Sequence, residues 1–331
     1  MDIVITGILL GATYSLLAMG LTLQYGVARI MNLSYGELLI AAAFAAFWFY
    51  SGLALNPLIG LIVVPPVAFA VSYAIYRILL QPLVRRARTR DALEVDSILA
   101  TFGLLFVVPV AFVLNWMIYR WLLVPLVRRA KNRGQLEVDS ILATFGLSFA
   151  MVGLMRWAFG GEFFNYSFLA TPFELFGSPF GLNRIVAALG ATVICALVYI
   201  GLNATRTGMA LRAVAVDPRA AGLVAIDVPK MSTLAFALGG AVMAAGGTIL
   251  STFLTMDASI GVMFTMKALI IVIMGGVGDV RGAVIAALIL GLAETAVASL
   301  VDPGLTLAAA YLLFVLVLLF RPQGLFGRRS S

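Results

Sequence analysis

Three polar stretches interrupt an otherwise apolar chain, and any chemistry must start from them. In the first, Gly20-Leu21-Thr22-Leu23-Gln24-Tyr25-Gly26 leads into Arg29-Ile30-Met31-Asn32-Leu33-Ser34-Tyr35-Gly36-Glu37. Polar groups between apolar runs are costly unless they line a cavity or pair with one another, which makes Asn32 and Glu37 candidates for lining a solute path. The competing reading is an interfacial loop, with Asn32 capping a helix that begins near Ser34 and Glu37 complementing that helix's positive end. The second stretch runs from Thr205 to Leu223 and carries Thr207, Gly208, Arg212, Ala213, Asp217 and Ala221. It is amphipathic and rich in small residues, so it suits a short helix that enters another protein's groove, with Arg212 and Asp217 at the rim. A helix lying on anionic lipid has the same pattern. The third is Gly275-Gly276-Val277-Gly278-Asp279-Val280-Arg281-Gly282. Gly275, Gly276 and Gly278 suggest a chain break inside a membrane and close helix packing. The phosphate-loop pattern Gly-x-x-x-x-Gly-Lys-Ser/Thr, with four residues between its glycines, occurs nowhere.

Other chemistries lack their residues. The chain has no histidine and one cysteine, Cys195, so the commonest acid–base group is missing and no intrachain disulfide can form. No nucleophile–base pair or metal-ligand spacing is visible, no cofactor or metal is expected, and enzyme activity has no support. Lys267 and Glu294 stand within or near apolar runs; either is a functional candidate, although Lys267 can snorkel to the interface.

The elements that must position these stretches follow from composition. Of 331 residues, 63% are hydrophobic and 11% charged, with a mean hydropathy of +1.08. A soluble domain carries about 25% charged residues, so this chain lacks the polar surface a water-soluble globule needs. Its apolar residues come in blocks near 3–24, 35–52, 56–80, 98–124, 141–160, 183–202, 231–254, 263–278, 282–301 and 304–320. Spanning a bilayer takes roughly 20 residues per helix, and runs such as Leu312 to Phe320 do not alternate as barrel strands would. The expectation is an all-α, polytopic transmembrane helical bundle of about 8–10 membrane segments. Pro65-Pro66 predicts a kink, and the short run 263–278 predicts a broken or re-entrant element.

The formal net charge of +7 does not point to nucleic acid, because the basic residues gather in short stretches between apolar segments. Loops 81–97, 127–140 and 203–230 and the tail with Arg321, Arg328 and Arg329 read as cytoplasmic; 161–182 and 255–262 contain no Lys or Arg and read as external. This bias predicts an external N-terminus and a cytoplasmic C-terminus, with no cleavable signal peptide at Met1-Asp2-Ile3. Residues 66–108 recur without gaps as 109–151, with 29 of the 43 positions identical and Leu93 to Leu104 repeated unchanged as Leu136 to Leu147. A tandem duplication or an assembly artefact accounts for such identity better than the weak symmetry of old transporter repeats. Segment 98–124 then either crosses once, stranding one basic loop outside, or turns back near Pro109. The whole chain, 1–331, reads as a single transmembrane domain.

With these motifs in this order, the chain resembles the H-type permease subunit of branched-chain amino acid ABC transporters, a family whose relatives import urea or short amides. The carriers are Gly20 to Glu37, Thr207-Gly208 through Asp217 and Ala221, the Gly275-Gly276-Val277-Gly278 turn, and Arg321-Pro322-Gln323-Gly324-Leu325-Phe326-Gly327. The resemblance implies an ABC importer permease in a bacterial inner membrane, forming a translocation path for branched-chain or other small neutral amino acids. Its partners would be a second, M-type permease, two cytoplasmic ATPases and a periplasmic solute-binding protein, with Thr207 to Ala221 as the ATPase-coupling loop. An ATP-independent transporter or channel is the alternative. The family usually has Ala-His-Gly at Ser34-Tyr35-Gly36, Gly-Ile at Ala225-Ile226, and Gly-Ser or a similar pair at Gly278-Asp279. It is expected to carry one copy of the repeated unit.

Overall fold

A computed structural model describes residues 2–28, 35–52, 56–74, 152–153, 156–157, 160–166, 168–169, 171–175 and 178–326. Asn32, segment 98–124, the basic loops 81–97 and 127–140, and the repeat beyond residue 74 lie outside the described residues.

The chain forms helices wherever its apolar runs are long. Helix α1 (Asp2–Leu23) continues into a single π-helical turn, Gln24–Ala28, and is followed by α2 (Tyr35–Ser51) and α3 (Gly60–Ala74). After an antiparallel hairpin of β1 (Pro172–Leu175) and β2 (Ser178–Gly181) come α4 (Leu182–Ala204), α5 (Arg206–Val216), α6 (Pro218–Leu223), α7 (Val228–Leu250), α8 (Gly261–Gly275), α9 (Val280–Leu300) and α10 (Thr306–Phe320). Among the described residues five helical stretches, Asp2–Val27, Leu182–Ala204, Val228–Leu250, Val280–Leu300 and Pro303–Phe320, are long and apolar enough to cross a membrane. A helix satisfies its own backbone, which lipid cannot do.

Short polar residues set where these helices begin. Asp217, Asp227 and Asp279 accept hydrogen bonds from Arg219, Lys230 and Gly282 backbone N–H groups at 2.8, 3.1 and 2.9 Å, capping α6, α7 and α9. Helix α3 runs through Pro65 and Pro66. The hairpin is the one departure from the all-helical expectation among the described residues, and it is confined to the connection that carries no Lys or Arg.

Packing is organised around α7, which touches α1, α2, α3 and α4. Helices α1 and α9 pack along their length because glycines remove the side chains between them: a Cβ on Gly291 would lie 2.5 Å from the Gly11 nitrogen, and one on Gly7 2.8 Å from the Leu292 Cα. Small residues at such crossings maximise dispersion contact where lipid supplies no hydrophobic drive. One end of the bundle holds the α5–α6 pair, seated on Leu23, Val27, Leu202 and Ala235 through Leu211, Val214 and Ala221. The other end is closed by aromatics. Phe44 and Phe47 meet the Phe164 ring edge-on at 5.3 and 5.4 Å, Tyr50 stacks on Tyr166 at 4.8 Å, and the Phe164 and Met256 backbones bridge. Tyr166 shares a 2.7 Å hydrogen bond with Ser251, and burial raises its phenol above the ordinary tyrosine pKa.

Candidate functional site

The first polar stretch folds back into the bundle. From the π turn, Gln24 Nε2 donates to the Phe236 carbonyl of α7 at 3.1 Å. The chain re-enters as α2, whose Tyr35 hydroxyl donates to the Leu17 carbonyl at 2.5 Å, six residues before α1 ends. Gly36 N–H donates to Thr265 Oγ1 at 2.8 Å, and a Cβ on Gly261 would sit 3.0 Å from the Gly36 carbonyl carbon. The first turns of α2 and α8 therefore lie against each other inside the bundle, and the buried Glu37 stands beside that junction. Two helix N-termini close together bring the positive ends of two backbone dipoles to one place, a setting that favours a carboxylate.

The glycine turn lies at the α5–α6 end. Gly275 is the last residue of α8, and Gly276 and Gly278 follow with φ of 109° and 83°, a backbone region open to glycine at little cost. The expected break in 263–278 is therefore a helix stop at Gly275. A Cβ on Gly26 would lie 2.9 Å from the Gly278 Cα, so the π turn and the glycine turn touch backbone to backbone. The tail completes the cluster. Leu325 N–H donates to the Met274 carbonyl at 2.8 Å and Phe326 N–H to the Gly275 carbonyl at 3.1 Å, supplying partners for carbonyls that a helix C-terminus leaves open. Gly324, at φ 81°, packs 2.7 Å from the Gly276 nitrogen as measured to a Cβ placed on it. Three stretches distant in sequence, the π turn, the glycine turn and the tail, thus form one joint.

The second stretch is two helices. Asp217 ends α5 and caps α6. Gly208 and Ala221 are buried and face the bundle, a Cβ on Gly208 lying 2.5 Å from the Leu202 Cα. Thr207, Arg212 and Asp217 are exposed and Ala213 is half-buried; Arg212 Nη1 donates to Asn203 Oδ1 at 2.8 Å. Leu223 and Val224, 89% and 70% exposed, form an apolar tip on a helix pair that also exposes Arg206 and Arg219. Sequence reasoning passed over this tip because two apolar residues at a helix end carry no periodic signal.

Lys267 does not snorkel to an interface. It is buried, and its ammonium donates to Glu294 Oε2 and to the Tyr14 hydroxyl, both at 2.8 Å. The carboxylate and the lysine were visible as intramembrane charges, but nothing in their spacing announced that they meet. Among the described residues no group of three His, Cys, Asp or Glu side chains could hold a metal.

Residues 3–320 match the protein family described as branched-chain amino acid transport system / permease component. The high-affinity branched-chain amino acid transport system permease protein LivH of Salmonella typhimurium is 25% identical over 334 residues, covering 97% of this chain and 94% of that protein. LivH of Escherichia coli K12 is 25% identical over 336 residues with the same coverage. The permease protein BraD of Pseudomonas aeruginosa is 26% identical over 340 residues, covering 98% of this chain and 94% of its own. No solved structure gives a significant match.

Proposed function

The chain belongs to the branched-chain amino acid transport system permease family, and from that premise we propose that it forms half of an amino-acid translocation path driven by ATPases docked at its α5–α6 end. The observation that carries this reading is the joint at that end. Helices α5 and α6 sit on the π turn, the π turn touches the glycine turn, and the tail closes over α8. A push on α5–α6 would reach α1, α8 and α9 through rigid backbone contacts, as a two-position bundle requires.

The exposed surface of α5–α6 suits a protein partner better than lipid. A lipid-lying helix would turn its apolar side outward, whereas Leu211 and Val214 of α5 are buried in the bundle. The exposed surface mixes Thr207, Arg212 and Asp217 with Met209, Val216 and the Leu223–Val224 tip, apolar anchors interleaved with charge. This end would face the cytoplasm and the hairpin end the periplasm of a bacterial inner membrane, in keeping with the Lys/Arg bias. The partners would be an M-type permease, two ATPases and a periplasmic binding protein. The solute is proposed to be a branched-chain or other small neutral amino acid, in line with the activity named for the relatives. Its path would pass the α2–α8 junction at Glu37, with Asn32 on the preceding segment and Gly275, Gly276 and Gly278 as the hinge below.

Co-purification tests the docking surface. The chain produced with its operon partners should bring down two ATPases and a second permease. The pair Leu223→Asp and Val224→Asp, or Arg212→Glu alone, should lose the ATPases while keeping the second permease and membrane insertion. Full retention of the ATPases in both variants would remove α5–α6 from the mechanism.

A further inference from the structure

The bundle interior holds one group of charged and polar side chains that this reading does not use. Tyr14 of α1, Lys267 of α8 and Glu294 of α9 are 4%, 7% and 3% exposed. The Tyr14 hydroxyl donates to Glu294 Oε2 at 2.9 Å, and the Lys267 ammonium donates to that same oxygen and to the Tyr14 oxygen. The ammonium also lies 5.0 Å from the centre of the Tyr14 ring, where the ring's negative face attracts it. Glu294 Oε1 is buried and accepts no hydrogen bond from any described residue.

Such a group is a poor way to gain stability. Removing two charges from water costs several kcal/mol per ion, and well-packed apolar replacements of a buried pair are often neutral or stabilising. The orphaned Oε1 adds a further cost. Holding α1 to α9 does not need it either, since Gly7, Gly11 and Gly291 already bring those two backbones into contact. What the group adds is a directional link from α8. Apart from this lysine and Thr265, whose hydroxyl meets Gly36 of α2, that helix from Val262 to Met274 is Val, Met, Phe, Ala, Leu and Ile, and apolar surfaces of this kind resist sliding and rotation weakly. It is fixed at its ends, to α2 at Gly36–Gly261 and to α9 and the tail at Gly275. Among the described residues, Lys267 makes the side-chain hydrogen bonds that join α8 to α1 and α9 between those ends.

We propose that Lys267, Glu294 and Tyr14 form a register pin that makes α8 move as one body with α1 and α9, with Lys267 and Glu294 as positioning residues for transport. The geometric part stands on the side-chain contacts alone; its consequence for transport rests on the permease reading above.

The test keeps the two apart. Spin labels at Met263→Cys on α8 and Ile285→Cys on α9, in a Cys195→Ser chain, report the distance between the helices by pulsed electron resonance. The chain with the native pair should give a single narrow distribution, and Lys267→Arg, which preserves an ion pair, should keep it. The double variant Lys267→Met and Glu294→Met should melt no lower than the parent, yet broaden the distribution about twofold, since an apolar pair packs without fixing register. An unchanged width would overturn the pin, and so would a broad distribution accompanied by a large fall in melting temperature, which would make the pair a plain support of the fold. In proteoliposomes holding the full complex, the double variant should retain all partners and ATP hydrolysis while losing most uptake of labelled leucine. If the parent complex itself takes up no leucine with ATP, the permease reading fails, and the distance result still decides the pin.

Discussion

At the residue scale, Ala225 shows how a departure from a family pattern acquires a physical meaning. It follows α6 with φ of 62°, in the left-handed region that costs an L-residue roughly 1–2 kcal/mol, at a position where the family resemblance leads one to expect glycine. Ala225→Gly should therefore raise stability by about 1 kcal/mol, read as a higher melting temperature in detergent, with the docking of α5–α6 unchanged. Asp279 is a departure without such a cost, because aspartate and serine both cap a helix start, and its side chain caps α9. The α1–α9 contact predicts the opposite sign: Gly11→Val would place a side chain on the Leu288 Cα, 2.7 Å from the new Cβ, and should destabilise by roughly 1–3 kcal/mol. The caps Asp217, Asp227 and Asp279 have partners only two or three residues on, a local signal that the sequence reading passed over when it placed Asp217 at the rim of a partner contact. The Tyr14–Lys267–Glu294 contact has no such signal, since Tyr14 and Lys267 stand 253 positions apart and only packing brings them together.

At the scale of elements, apolar length located the described helices to within a few residues, because lipid imposes internal hydrogen bonding on every spanning segment. Three features escaped. The π turn at Gln24–Ala28 has no composition signal, the hairpin at residues 172–181 is too short to show alternation, and the coupling stretch reads as one amphipathic run although Asp217 divides it. The tail was legible as a motif, but its role was not: its N–H groups serve α8, and that partnership depends on Gly324 adopting φ 81° beside Gly276. Removing residues 321–331 should thus leave the Met274 and Gly275 carbonyls without their N–H donors. Hydrogen exchange at the end of α8 should accelerate about tenfold or more, one lost backbone bond being worth about 1 kcal/mol, and Gly324→Val should reproduce much of the effect. Exchange unchanged in both would show that the tail rests on the bundle without holding it.

At the scale of the molecule, the proposed drive from one end of the bundle rests on how its helices are tied together. Helices α1, α8 and α9 are tied by glycine contacts and the buried ion pair, while α5–α6 presents Arg212 and the Leu223–Val224 tip away from them. Of the repeated unit between residues 66 and 151, the described part is the end of α3, which packs on α7. Deleting residues 109–151 leaves one intact copy of that unit, so the shortened chain should insert and co-purify with the same partners. The most direct measurement of the whole account is uptake of labelled leucine by proteoliposomes containing this chain, a second permease, two ATPases and the binding protein. Uptake should require ATP inside the vesicles that face the ATPases, and should stop when Leu223 and Val224 are both replaced by Asp. Leucine uptake by this chain alone, without ATP or ATPases, would contradict it.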